Sequence, residues 1–120
     1  MNRFVLQRHN ATNLHYDFRL ERYGTLKSWA LPKGMPKIIG ERKLAIQTPN
    51  HPLSYINFKG KIAEGHYGAG MVSIADNGLY TPIKWINNKI EFILHGKTYK
   101  GKYIIIPFKN NNLLIKVHND

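Results

Sequence analysis

Two short stretches hold most of the side chains that could do chemistry. The first is Leu14-His15-Tyr16-Asp17-Phe18-Arg19-Leu20-Glu21, with His9 six residues before His15. It alternates without a break. On a β-strand, His15, Asp17, Arg19 and Glu21 share one face, and Leu14, Tyr16, Phe18 and Leu20 the other. Side chains on the polar face follow one another at about 7 Å. An ordinary solvated face would explain the alternation too. It is disfavoured here because the chain has only 7 Asp and Glu against 18 Lys and Arg, and two of the acids stand on this face. The second stretch, Asn50-His51-Pro52-Leu53-Ser54-Tyr55, carries matching chemistry.

Two imidazoles and a carboxylate, from His9, His15 and Asp17, form a borderline ligand set for Mn²⁺, Fe²⁺, Zn²⁺ or Ni²⁺ with open positions for water or substrate. Sites with three protein ligands tend to be catalytic, because a structural site wants a fourth. The planar fork of Arg19 suits two phosphate oxygens. Lys33, Lys43 and Arg42 could add positive charge. His51 is held extended by the proline after it, and could bind phosphate or protonate a leaving oxygen. Tyr55 could donate to a phosphate oxygen. Together these groups describe metal-assisted phosphoester cleavage. Ser28 has no His–Asp neighbour in sequence, so a serine hydrolase is disfavoured.

The elements that must position these residues are strands. Phe4 to His9 reads as a first strand, Asn10-Ala11-Thr12-Asn13 as a turn, and Tyr23-Gly24 as the turn after the alternating stretch. Thr25 to Leu31 alternates again, with Leu26, Ser28 and Ala30 on one face. Pro32 to Gly40 reads as a loop. Arg42 to Thr48 is a strand that Pro49-Asn50-His51-Pro52 should end. Leu53 to Phe58 fits a short strand or a helical turn. Gly60 to Gly70 reads as a glycine-rich loop with positive φ; it lacks the Gly-Lys-Ser/Thr ending of a phosphate loop. Within it His66 is assigned a structural role.

Met71 to Ala75 should be a strand, Asp76-Asn77-Gly78 a hairpin turn, and Leu79 to Trp85 a strand with an edge or bulge at Pro82. Further strands are expected from Lys89 to Leu94, from Lys97 to Phe108 and from Leu113 to His118. Turns at His95-Gly96 and Asn110-Asn111-Asn112 would separate them. His95 and His118 read as surface residues, and Trp29 and Trp85 as packing. Many short consecutive strands without a long helix predict an all-β domain, a compact antiparallel β-barrel with a sandwich as the alternative. Its apolar faces would fill the core. The His15/Asp17/Arg19/Glu21 face would then line an active-site groove on the outer surface.

Composition narrows the function. A chain of 120 residues with 42% apolar side chains is expected to form a single folded domain, residues 1–120. Without cysteine there are no disulfides, thiolate nucleophiles or cysteine-held metals. No apolar run approaches the ~20 residues that span a bilayer, and Met1 to Arg8 is too short and polar for a secretory segment. The expected compartment is the cytoplasm. A formal charge of +11 favours a polyanionic partner, nucleic acid first.

Residues 4–21 closely resemble the opening of the 3′-phosphoesterase domain of the DNA ligase D family. The resemblance continues through residues 26–34, Leu44-Ala45-Ile46, residues 51–55 and residues 64–70, in order and spacing, and covers roughly residues 4 to 106. It implies a β-barrel with a surface groove and a Mn²⁺-dependent activity at DNA 3′ ends, with Co²⁺ or Zn²⁺ as other ions for the same site. A phosphodiesterase step would remove a 3′-terminal ribonucleoside and leave a 3′-phosphate. A phosphomonoesterase step would then leave a 3′-OH for non-homologous end joining. By matching positions, His9, His15 and Asp17 would hold the metal. Arg19 and His51 would contact the phosphate beside Tyr55, with Lys43 adding charge and Gln7, Glu21 and Lys33 in support.

Two departures stand out. Lys43 replaces the family's common Arg, a point charge in place of a fork. Pro49 and Asn50 stand where acidic residues often precede the His-Pro. The resemblance also implies a stand-alone version working on primer–template 3′ ends with separate ligase, polymerase and Ku-like end-binding proteins. The rival is a non-catalytic basic β-barrel that binds nucleic acid. A vestigial site would be expected to have lost some of His9, His15, Asp17, Arg19, His51 and Tyr55, and all six stand.

Overall fold

The computed structural model describes residues 2–63, 65 and 69–120. Its strands are β1 (Arg3–Asn10), β2 (Leu14–Arg22), β3 (Thr25–Leu31), β4 (Arg42–His51), β5 (Gly60–Ile62), β6 (Gly70–Ile86), β7 (Lys89–Gly96), β8 (Lys100–Phe108) and β9 (Asn111–His118). They pair antiparallel in the order β1-β2-β3-β4-β9-β8-β7-β6, and β6 returns to pair with β1. Eight strands thus close a barrel. The short β5 adds to the flank of β6. The expected all-β antiparallel barrel is what forms, and the sandwich is excluded. Among the described residues no helix is long and apolar enough to cross a membrane.

Alternation along the strands builds the core. Phe4 and Leu6 of β1, Phe18 and Leu20 of β2, and Trp29 and Leu31 of β3 point inward. Phe92 sits among Phe18, Tyr103 and Tyr80, with ring centroids 5.8, 6.1 and 6.2 Å away. These spacings suit aromatic packing. Tyr23 and Gly24 both take positive φ, 51° and 77°, which matches the twist of a two-residue hairpin between β2 and β3. A second, smaller core lies on the outer face. There Val5 and Leu26 are buried beneath a 3₁₀ helix, Leu53–Asn57, against that helix's own Ile56. That helix resolves the stretch left open between strand and turn.

Four expectations are corrected. Asp76-Asn77-Gly78 is not a turn, because β6 runs through it for 17 residues. Its first half pairs with β1 and its second with β7. A register shift opposite Leu6 and Gln7 bends the strand there instead of reversing it. Gly78 serves close approach: a Cβ would strike the carbonyl of His95 on β7. Second, β4 continues past Thr48 to His51, because Pro49 sits at an irregularity in the β3–β4 ladder where no N–H is required. Third, His95 and Gly96 end β7, and the turn falls at residues 97–99. Fourth, Gly60–Ile62, expected in a loop, is β5. Pro82 does mark a register shift, as expected. The rest of the glycine-rich stretch is described only in part; Glu64, His66, Tyr67 and Gly68, and the role assigned to His66, lie outside the described residues.

Asp76 explains the late turn after β7. Its buried carboxylate accepts the N–H groups of Lys97, Thr98 and Tyr99 at 3.0, 3.2 and 2.8 Å. Asp76→Ala leaves those donors without their acceptor. It is expected to cost about 3 kcal/mol or more in urea unfolding, against near-neutrality for an exposed Lys109→Ala.

Candidate active site

Register brings the reactive groups together. His9 lies opposite His15, Gln7 opposite Asp17, and Val5 opposite Arg19 across β1 and β2. On the other side of β2, Ala30 faces Asp17 and Ser28 faces Arg19. These small residues leave space beside the polar row. His51 arrives from the end of β4 and Tyr55 from the 3₁₀ helix. The result is a cavity of about 520 Å³ lined by His9, His15, Asp17, Arg19, His51 and Tyr55, with Ala11, Ala30, Pro49 and Ile62 among its apolar walls. The polar face is on the outside of the barrel, yet Gln7, His9, Asp17, Arg19 and Glu21 are all buried.

Three side chains form the compact donor group. The Asp17 Oδ2 lies 3.3 Å from His9 Nδ1 and 3.4 Å from His15 Nε2. One ligand atom from each residue falls within 4.8 Å of the others. The Nδ1 of His15 is 3.2 Å from the Asn13 carbonyl. A proton there turns the bare Nε2 toward Asp17, the tautomer a ligand needs. Two nitrogens and one carboxylate oxygen suit a divalent transition ion that keeps open positions, so the donor set fits the metal implied by the sequence.

A second group borders the first. Arg19 Nε donates to Gln7 Oε1 at 2.8 Å, and Nη2 is 3.7 Å from Asp17. The Gln7 amide donates to the carbonyls of Tyr55 and Phe58 at 3.3 and 3.2 Å. One fully buried side chain thereby ties the guanidinium to the 3₁₀ helix. Arg19 lies 4.9 Å from the Tyr55 ring centroid. Burial lowers its pKa from the ordinary guanidinium value, and the Asp17 charge works against that fall. Burial raises the Tyr55 pKa, so the hydroxyl stays a donor at neutral pH. The His51 Nδ1 is 3.0 Å from the Pro49 carbonyl and 3.2 Å from Arg19 Nη1. A protonated Nδ1 donates to the carbonyl and leaves Nε2 to exchange protons. Thr25 Oγ1 fixes the His51 backbone through its carbonyl at 3.0 Å.

The other residues singled out by sequence lie apart from this cavity. Glu21 shares the face of Asp17 but grips Arg3, with Oε1 2.7 Å from Nε and Oε2 3.2 Å from Nη2. Lys43 shares the inward face of β4 with Ala45, and both Lys43 and Lys33 line a different depression. The Lys43 ammonium is 3.4 Å from Glu41. Sequence reasoning passed over Ala11, Ala30, Thr48 and Ile62 as cavity walls. Strand alternation already placed Ala30 on the right face, and its small size was the available signal.

Two outcomes follow from this geometry. Gln7→Leu removes the acceptor of a buried guanidinium and the donor to two carbonyls. It is expected to destabilise the fold by about 3 kcal/mol in urea unfolding. Burial, with Arg19 second, lowers the His51 pKa below 6.5. The folded state therefore resists protonation there. His51's contribution to stability is full above pH 6.5 and is lost as pH falls through the lowered pKa. An NMR titration of His51 should show a midpoint below 6.5 that moves toward it in urea.

Residues 7–107 match the family described as the DNA Ligase D 3′-phosphoesterase domain. A multifunctional non-homologous end joining protein LigD from Pseudomonas aeruginosa is 45% identical over 109 residues, covering 87% of this chain and 13% of that protein. The protein of the same name from Mycolicibacterium smegmatis is 40% identical over 124 residues, 94% of this chain and 16% of its own. The one from Mycobacterium bovis is 46% identical over 109 residues, 88% and 14%. The chain thus spans a small part of these relatives. The match runs from β1 into β8 and takes in every residue that brings chemistry to the cavity. On fold, site and likeness together, the chain belongs to the DNA ligase D 3′-phosphoesterase domain family.

Proposed function

We propose that this chain is a metal-dependent DNA 3′-end-healing phosphoesterase. It removes a 3′-terminal ribonucleoside to leave a 3′-phosphate, then removes that phosphate to leave a 3′-OH. The observation that carries this reading is the convergence on one cavity of a three-donor group and a guanidinium–imidazole–phenol cluster. Its partners are primer–template 3′ ends and the ligase, polymerase and Ku-like components of end joining. Its compartment is the cytoplasm.

His9, His15 and Asp17 would hold the ion, Mn²⁺ by family likeness with Co²⁺ or Zn²⁺ as substitutes. Bound there, it supplies Lewis acidity toward a phosphoryl oxygen. The chain's own groups do the rest. Arg19, anchored at Nε by Gln7, directs its remaining N–H groups and its charge at the non-bridging oxygens. The Tyr55 hydroxyl donates to one of them. His51 gives a proton to the departing oxygen. In the first step that is the 5′-oxygen of the terminal nucleoside, and in the second the 3′-oxygen of the primer. In both, a water oxygen forms the new bond to phosphorus as the bond to the departing oxygen breaks.

The basic charge alone also suits a non-catalytic nucleic-acid-binding barrel, and one assay separates the two. A 5′-labelled primer–template ending in one 3′ ribonucleotide is incubated with protein and Mn²⁺ and resolved on a denaturing gel. Stepwise conversion to 3′-phosphate and 3′-OH ends is expected, abolished without metal and in His15→Ala of intact fold. His51→Ala should slow conversion by about 10²–10⁴-fold. Because His51 acts while protonated and its pKa is lowered, its share of the rate should decline with rising pH, with a midpoint below 6.5. A primer bound yet uncut across several divalent metals would leave the binding barrel as the answer.

A further inference from the structure

The second depression holds about 240 Å³ and is lined by Tyr16, Lys33, Lys37, Glu41, Lys43 and Tyr99. Neighbouring residues of a strand face opposite ways. His15 therefore lines the outer cavity while Tyr16, next in the chain, lines this one at the barrel mouth. The two hollows stand back to back across β2. Arg8, exposed, lies opposite Tyr16 in the β1–β2 register and adds charge to the same mouth.

The charge balance here is one-sided. Among the described residues Glu41 is the one acidic residue lining the hollow, and it is already engaged. Its Oε1 accepts the Lys37 backbone N–H at 2.6 Å, and its Oε2 is 3.4 Å from Lys43 Nζ. Among the described residues neither the Lys33 nor the Lys37 ammonium has a carboxylate partner. Ammonium groups and tyrosine hydroxyls converging on a polar hollow suit the non-bridging oxygens of a phosphate. A group held there cannot also touch Arg19 and His51, which open on the other side of the wall.

We infer that this hollow takes a backbone phosphodiester of the same nucleic acid whose 3′ end enters the first cavity, bound by Lys33, Lys37 and Lys43 with the hydroxyls of Tyr16 and Tyr99. The inference rests on the DNA-end function proposed above. Such a contact sets the position of the duplex and takes no part in the bond cleavage. It also gives Lys43 a phosphate to hold although the strand turns it away from the reacting one.

The test is equilibrium binding without added metal, so that no bond is cut. A fluorescein-labelled primer–template duplex is titrated by anisotropy over a range of NaCl. The proteins are the unaltered chain, Lys37→Glu, Lys37→Arg and Lys109→Glu, the last in the β8–β9 turn at the other end of the barrel. Loss of one phosphate contact lowers the slope of log K against log salt by about 0.9. Lys37→Glu should show that drop with several-fold weaker binding at low salt, and Lys37→Arg and Lys109→Glu should keep the original slope. An unchanged slope in Lys37→Glu, or an equal drop in Lys109→Glu, would overturn the inference. A chain that gave the slope change but cut no 3′ end would lose the proposed reaction and keep the second hollow.

Discussion

The arrangement depends on one buried charge. Arg19 is nearly sealed from solvent on the outer wall of the barrel. A guanidinium in that position is tolerated only if its donors and its charge are answered. Gln7 answers Nε, Asp17 faces Nη2, and the Tyr55 ring lies alongside. Each answer comes from a different place: β1, β2 itself and the 3₁₀ helix. Satisfying Arg19 therefore fixes how those three elements meet. The small outer core of Val5, Leu26 and Ile56 holds the helix in the place that this requires.

The same constraint joins the two chemical groups. Asp17 is shared: one carboxylate oxygen lies near both imidazoles and near the guanidinium. A change in its charge is felt by all three. Pro49 has a comparable role for His51, through its backbone. Its carbonyl lies 3.0 Å from the ring Nδ1. That carbonyl orients the ring and pulls the His51 pKa up, but burial and the Arg19 charge outweigh it and the net shift is downward.

Much of this was legible before the fold was known, because a period of two states which residues share a face. It put His15, Asp17 and Arg19 together, and separated Ser28 and Ala30 from Trp29. It also contained the answer for Lys43, whose parity with Ala45 turns it into the barrel. Family likeness groups Lys43 with the phosphate-binding residues, and in the structure it lines the second hollow. Local turn chemistry failed where tertiary pairing overrode it. Asp76-Asn77-Gly78 has turn composition, but β1 and β7 hold it extended and the carboxylate is spent on the following loop. Pro49 likewise looked like a strand end until an irregular ladder accommodated it.

The long strand β6 bears on how the molecule assembles. His9, His15 and Asp17 lie on one hairpin and form with it, at the cost of a very short loop. Barrel closure is different: Asn10 must find Met71 and Arg3 must find Leu79. Such distant pairings are late and slow, because chain entropy is lost before contacts repay it. The donor trio can therefore exist on an open sheet whose interior is still wet.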